Sequence, residues 1–454
     1  MKALHFVVAS ALVVAVGCRS DRAKSAETAT ADVPPTAAET PEVRRISGRD
    51  IGATPELVAP RATPSAVNFP RVIGWPAEGR PSAPAGFTVT LFADSLEYPR
   101  WLHVLPNGDV LVAEARTNAS AAIPSELREK LEASGFFGPS ANRISRLRDA
   151  DGDGKAEVRE TFLEGLRQPF GTLALGNWLY VANTDALLRY PYDSAGARVT
   201  GKGRKILDLP AGGYNNHWTR NVIANRDGSK LYVTVGSATN VDDERVDRRD
   251  PRRAAILEVN PDGSGMRVFA SGLRNPNGLG WEPESGVLWT AVNERDELGD
   301  ELVPDYITSV REGAFYGWPY AYWGKNEDPR RKGERPDLVA KAVAPDFAVG
   351  AHTATLGLAF GEKLDFPERY RRGGFIGQHG SWNRSTLVGY RVAFVPFDNG
   401  QPSGQPEEFL TGFIADSAKP EVWGRPVGLA VARDGALLVA DDAGNRIWRV
   451  TAAR

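Results

Sequence analysis

Six returns of one phrase, with hairpin turn chemistry inside them and a composition rich in glycine, predict an all-β chain folded as a six-bladed β-propeller. The phrase is a glycine-bearing start, a short apolar strand, a polar turn and a second apolar strand. It runs over Pro99–Glu114, Pro169–Asn183, Arg220–Gly236, Pro276–Val292, Thr355–Gly377 and Pro426–Asp441. Asn107-Gly108, Asp227-Gly228 and Asp434-Gly435 sit between the paired strands, and such pairs supply the positive φ that tight hairpins need. Third strands follow at Asn142–Arg148, Ala186–Tyr192, Ala255–Asn260, Leu387–Phe397 and Asn445–Val450. A multi-strand unit repeated in this way stacks into a ring of blades. The spacing between copies exceeds a minimal blade, so several blades carry long loops, where function is placed. Phe87–Ala93 is expected to add the outer strand of the last blade and close the ring. One helical insert is expected at Ser125–Ser134, capped by Ser125.

Upstream of that body the pattern is different. Met1–Gly17 has a lysine at position 2 followed by an apolar run of the length of a secretory signal, too short to span a bilayer comfortably. It ends in Ala15-Val16-Gly17-Cys18, which resembles a bacterial lipobox, and Cys18 is the single cysteine of 454 residues. The expectation is a lipoprotein signal peptide over 1–17, a lipid anchor on Cys18, and a place on the periplasmic side of the envelope at the outer membrane. An ordinary signal peptide is the alternative. No disulfide can form within the chain. Residues 18–84, rich in Ala, Thr, Pro and Glu, lack apolar periodicity and are expected to be a flexible tether. The propeller is expected over 85–454. A net charge of −2 provides no field that would draw the chain to nucleic acid.

Candidate chemistry concentrates between Leu273 and Trp323. Arg274-Asn275-Pro276-Asn277 offers a cation and two amides, Asp296 and Glu297 lie in an acidic loop after a strand, and Tyr316-Gly317-Trp318-Pro319 is an aromatic turn. Together they suit a flat, anionic, metal-assisted ligand. His217 lies in a polar, glycine-rich loop before a strand, a setting for a general base rather than for packing. His352, His379 and Arg384 flank the fifth copy and are candidates to line the channel. The run from Asp149 to Glu160 fits the D-x-D-x-D-G-x5-E calcium pattern, with Asp149, Asp151, Asp153, Lys155 and Glu160 at ligand offsets. Strands flank it where an EF-hand has helices, so it reads as a structural Ca2+ loop in a hairpin. A metal-free acidic turn is the alternative.

The motifs GGYNNHWTRN (212–221), GLRNPNGLGW (272–281), YGWP (316–319) and HGSWNRSTLVGYRV (379–392) occur in this order. Together they resemble the soluble pyrroloquinoline-quinone (PQQ)-dependent sugar dehydrogenases, in particular the sorbosone and pyranose dehydrogenase-like branch. The resemblance implies a six-bladed propeller with PQQ flat over the channel, Ca2+ beside it, and oxidation of a sugar or related alcohol or aldehyde by hydride transfer. It implies His217 as base and Arg274 as the cation near the reactive carbonyl. It implies Asn275, with Asn277, His352 and Arg384, as cofactor contacts, and Asp296–Glu297 as the metal-holding segment. The chain departs from the soluble glucose enzymes in carrying Asn216 before the base and Asp296–Glu297 where they have Gly-Pro.

The chain contains no C-x-x-C-H haem motif and no nucleotide-binding glycine loop in a βαβ setting. A dehydrogenase of this kind therefore passes electrons to an external acceptor, a cytochrome or a quinone. Two rival readings stand beside it. One is a Ca2+-dependent lactonase-type propeller using Glu114, Asn183 and Asp441 as ligands. The other is a non-enzymatic binding propeller on a lipid tether.

Overall fold

The computed structural model describes residues 43–117, 125–211, 217–242 and 245–453. The expected signal peptide, Cys18, the first part of the tether and residues 212–216 of the His217 loop lie outside the described residues. No described helix is long and apolar enough to cross a membrane.

Each repeated phrase forms the first two strands of an antiparallel sheet of four or five strands. Blade one is built on Pro99–Val104, Val110–Glu114, Arg143–Arg148 and Val158–Leu163. Blade two begins with Thr172–Leu175 and Trp178–Ala182, blade three with Val222–Ala224 and Leu231–Val235, and blade four with Pro276–Trp281 and Leu288–Val292. Blade five begins with Thr355–Phe360 and Gly373–Gln378, and blade six with Pro426–Val431 and Leu437–Asp441. Each first strand touches the first strand of the next blade, and the sixth touches the first, so the ring is closed. Phe87–Ala93 pairs with Arg446–Ala452 from Phe87↔Ala452 to Ala93↔Ile447, supplying the outer strand of blade six from the far end of the body. Blade four takes its third and fourth strands, Pro304–Ser309 and Phe347–Ala351, from either side of a long insertion. The expected helix is present at Ser125–Ala133.

The core lies between blades rather than inside one. The second strands Val110–Glu114, Leu231–Val235, Leu288–Val292 and Leu437–Asp441 are buried at every residue. Successive side chains point to opposite faces of a strand, so each blade feeds two cores. Leu111 and Ala113 pack with Leu179 and Val181 of blade two, while Val110 and Val112 pack with Leu438 and Ala440 of blade six. The same alternation puts Tyr180 against blade three, Tyr232 against blade four and Trp289 against blade five. An apolar run therefore works here as a strand buried on both faces.

All first strands run in one direction, so they start at one end of the ring, and the antiparallel second strands finish there. That end collects the loops around residues 98–100, 217–221, 236–242, 274–276, 293–301, 352–355, 379–385 and 424–426. It is where the site forms.

The tether expectation is corrected from residue 43 onward. Ile51–Gly52 adds a fifth strand to the edge of blade four, and Arg71–Val72 pairs in parallel with Glu421–Val422. Ile46 is buried in the core between blades four and five, and Trp75 Nε1 donates to Asp441 Oδ2 at 2.6 Å. The composition is that of a linker. The segment is ordered because exposed sheet edges and loop carbonyls of the propeller satisfy its backbone groups.

Candidate functional site

His217 is 8 % exposed and follows the glycine-rich loop into blade three. Its Nδ1 lies 3.0 Å from the Ser237 carbonyl oxygen and 2.9 Å from Ser237 Oγ. A carbonyl only accepts, and Ser237 Oγ already donates to Thr239 O at 2.7 Å. The proton therefore sits on Nδ1, and Nε2 keeps the lone pair. Burial, followed by the Arg274 guanidinium, holds the imidazole well below its ordinary pKa, so it is neutral. Arg220, fully buried, donates to the His217 and Thr219 carbonyls at 2.8 Å each and fixes the backbone from beneath. Gly236 explains how the pieces meet: a Cβ there would lie 2.4 Å from Asn275 Oδ1 and 2.6 Å from His217 Cβ.

Arg274 is 1 % exposed. Its Nη2 donates to Asp296 Oδ2 at 3.0 Å and to Asn240 Oδ1 at 2.9 Å, and its Nε donates to Asn240 O at 3.2 Å. Asn240 also accepts the Asp296 N–H at 2.9 Å and, through its carbonyl, Trp318 Nε1 at 2.8 Å. Asn240, through its side-chain amide and its backbone carbonyl, thus ties the Arg274 turn, the acidic loop and the aromatic turn together. Asp296 faces His352 Nδ1 at 3.4 Å, and His352 Nε2 donates to Gly299 O at 2.9 Å. Burial favours neutral His352, but the Asp296 carboxylate outweighs it and raises the pKa. Burial pulls Asp296 upward too; Arg274 and His352 nonetheless hold it below the usual carboxylate range.

The structure gathers His217, Arg274, Asn275, Asp296 and His352 into one buried group. Asn277 is near but already used: its Oδ1 accepts Thr219 Oγ1 at 2.6 Å and its Nδ2 donates to Asn275 O at 3.1 Å. It cross-links blades three and four. Arg384 donates to Asp300 O at 2.6 Å, bracing the acidic loop. The oxygens expected to hold metal in that loop carry nitrogen donors instead. Asp296 O accepts Arg295 Nε at 2.9 Å and Nη2 at 2.7 Å, and Glu297 is ion-paired with Arg330. A cation does not fit among these guanidinium groups.

A second buried cluster at the same end was not anticipated as a unit. Asp442, fully buried, is ion-paired with Arg100, and His379 Nε2 lies 2.8 Å from Asp442 Oδ2. Arg425 donates through Nε to His379 O and through Nη2 to Gly380 O, both at 3.0 Å. Arg425 Nη1, Arg100 Nε and Asn275 Oδ1 are buried without a hydrogen-bond partner among the described residues. Such atoms cost free energy unless a ligand completes them. Buried arginines with donors to spare suit a ligand bearing carboxylates, so the residues present fit a polycarboxylate quinone. The only sequence signal for Arg425 and Arg100 was their place just before or at the start of a copy.

The loop that begins at Asp149 joins the third and outer strands of blade one. Among the described residues, Asp149, Asp151, Asp153 and Glu157 bring one ligand oxygen each within 4.8 Å of one another. Glu160 is not in this group: it lies on the outer strand, paired with Arg146 at 2.7 Å. Lys155 N donates to Asp153 Oδ1 at 2.8 Å. The four carboxylates could hold a metal ion.

Fold and site together define a propeller whose channel end is built from a neutral histidine, several buried arginines and unsatisfied polar atoms. The chain belongs to the TrAA12-like family, whose model matches residues 144–453, more than half of its length. It is 30 % identical over 304 residues to an uncharacterised protein of Borreliella burgdorferi, spanning 64 % of this chain and 77 % of that one. It is 25 % identical over 315 residues to an aldose sugar dehydrogenase of Escherichia coli, spanning 63 % and 76 %. The holo PQQ domain of pyranose dehydrogenase from Coprinopsis cinerea superposes with a TM-score of 0.65 at 20 % identity, covering 87 % of this chain and 100 % of that domain. The chain is thus a distant relative of the soluble PQQ-dependent aldose and pyranose dehydrogenases.

Proposed function

We propose that this protein is a PQQ-dependent oxidoreductase that oxidises a sugar or a related alcohol or aldehyde. The observation that carries the reading is His217, buried and neutral, with its proton on Nδ1 and its lone pair on Nε2. Family membership and the unsatisfied Arg425, Arg100 and Asn275 atoms support it.

The quinone, when bound, supplies the hydride acceptor. The substrate hydroxyl gives its proton to His217 Nε2, while Ser237 holds the imidazole in the required tautomer. The two electrons of the C–H bond leave with the hydride, and the hydroxyl carbon becomes a carbonyl. Arg274, held in place by Asn240 and Asp296, presents positive charge to the oxygen on which negative charge gathers. Arg425 and Arg100 bind and orient carboxylates. Reoxidation requires an external acceptor, a cytochrome or a quinone. We place the enzyme on the periplasmic side of the envelope, anchored through Cys18.

The lactonase reading loses support. Glu114 accepts Arg143 Nε and Nη2 at 2.9 Å each, and Asp441 accepts Arg425 N at 2.7 Å, Gly444 N at 2.9 Å and two tryptophan N–H groups. Neither carboxylate is left to bind a metal.

The test is reconstitution of residues 19–454 with PQQ, scoring dye reduction over a panel of aldoses and sugar aldehydes beside His217→Ala. Quinone-dependent turnover that collapses in the variant is expected. Absence of quinone binding to the wild type would overturn the proposal.

A further inference from the structure

We infer that residues 61–69, upstream of the six blades and outside the matched family region, are a brace that sets the geometry of the two loops bearing Asp296 and Arg384. The consequence for quinone binding rests on the function proposed above; the bracing itself does not.

The segment is bonded to both loops through groups distant in sequence. On the acidic loop, Arg61 N donates to Leu298 O at 2.6 Å, and Asp300 N donates to Pro64 O at 2.8 Å. Gly299 is enclosed between them: a Cβ on it would lie 2.6 Å from Thr63 Oγ1 and 2.7 Å from Thr63 O. The carbonyl of that same Gly299 accepts His352 Nε2, and the carbonyl of Asp300 accepts Arg384 Nη1. The brace therefore bears on the peptide units that hold His352 and Arg384.

On the second loop, Asn68 N donates to Trp382 O at 2.7 Å and Asn68 Nδ2 donates to Ser385 O at 3.1 Å. Phe69 stacks on Trp382 with ring centroids 5.3 Å apart and planes 6° from parallel, and Phe136 meets Phe69 edge-on at 6.0 Å. Asn383 joins all three pieces: its Nδ2 donates to Ala66 O at 3.2 Å while its Oδ1 accepts Glu297 N at 3.0 Å. The loops span blades four and five and have few regular ladder bonds of their own, so their placement depends on the segment laid across them. Further upstream, Asp50 Oδ2 accepts Ala351 N at 2.6 Å, just before His352, anchoring the brace to the same strand end.

Among the described residues, no hydrogen bond joins 61–69 to His217, Arg274 or Asn275. Asn68 and Phe69 are positioning residues acting through Trp382 and Ser385, in the same short segment whose Thr63 and Ala66 meet Gly299 and Asn383. A segment that only covered surface would leave loop opening and ligand affinity unchanged when cut back.

The experiment uses the full chain with Asn68→Ala/Phe69→Ala, and separately the milder Phe69→Ala. Backbone hydrogen exchange is followed without added quinone in residues 294–301 and 379–388, with Leu231–Val235 as the internal control. Alanine keeps the Asn68 backbone N–H, so the double variant loses the Asn68 side-chain bond and the Phe69 stack, which is expected to speed exchange in both loops about tenfold while the control strand is unchanged. Quinone affinity is expected to fall about tenfold with kcat at saturating quinone preserved, and Phe69→Tyr to restore both. Wild-type exchange in both loops, or equal acceleration in the control strand, would overturn the inference. If the wild type binds no quinone, the proposed function fails, and the exchange result alone decides the brace.

Discussion

Asp296 stands between Arg274 and His352, taking Arg274 Nη2 at 3.0 Å on one carboxylate oxygen and facing His352 Nδ1 at 3.4 Å with the other. Arg274 is 1 % exposed, so this carboxylate is the counter-charge that lets a guanidinium remain in the channel. Asp296→Asn removes it and leaves a buried positive charge uncompensated. The expected loss is about 3 kcal/mol or more of stability, read by denaturant unfolding. The His352 resonance should titrate at lower pH in the variant, because the group that raises its pKa is gone.

The same pair dictates a pH dependence. His352 is raised in the folded protein, so its contribution is fully present below its unfolded value and is lost as pH rises through the folded value. Asp296 is depressed, so its contribution is present above the unfolded carboxylate value and is lost as pH falls through the folded one. His217 behaves oppositely to His352: below about pH 6.5 the unfolded chain takes up a proton that the buried imidazole refuses. Relative to His217→Gln, the wild type should lose about 1.4 kcal/mol per pH unit as pH falls below about 6. Turnover should show no protonation of His217 between pH 6 and 8, checked by a pH–rate profile.

Gly236→Ala places a methyl group against Asn275 Oδ1 and His217 Cβ. The expected cost is about 1–3 kcal/mol, but activity should fall further than stability, since the two displaced residues are site residues. Thermal unfolding and kcat measured on one preparation separate the effects.

The blade-one loop gives a test that distinguishes neighbouring glutamates. If Asp149, Asp151, Asp153 and Glu157 hold Ca2+, saturating calcium should raise the wild-type melting temperature by roughly 5 °C. Glu157→Gln should abolish that shift, whereas Glu160→Gln, on the strand beside Arg146, should keep it. No shift in the wild type would leave the loop as a turn held by its own N–H donors.

Paired strands were legible because each copy joins an apolar run to a turn with its own chemistry, as in Leu105-Pro106-Asn107-Gly108. The closing strand Phe87–Ala93 could be read for the same reason: a strand pattern without a partner nearby must pair elsewhere. Blade four hid its outer strands because Pro304–Ser309 and Phe347–Ala351 are separated by an insertion and lack the repeated turn. His217 and Arg274 stood out through their loop context. Asn240 did not, since one amide in a polar loop carries no pattern, yet it links three parts of the site. Glu160 was placed by an offset that brings a ligand back in a helix; in a hairpin the strand carries it away, and Glu157 lies closer to the turn. Residues 43–84 misled because composition reports whether a segment can fold alone, and this one is ordered by the edges it meets.

In the proposed reaction His217 removes a proton while a bound quinone takes the hydride. The most direct measurement is an anaerobic single turnover: protein loaded with PQQ, mixed with an aldose, with the quinone absorption followed in wild type and in His217→Ala. Rapid bleaching is expected in the wild type and a rate reduced about 10²–10⁴-fold in the variant, with quinone affinity retained in both. Equal bleaching in the two proteins would contradict the role of His217, and a wild type that neither binds nor bleaches PQQ would contradict the account as a whole.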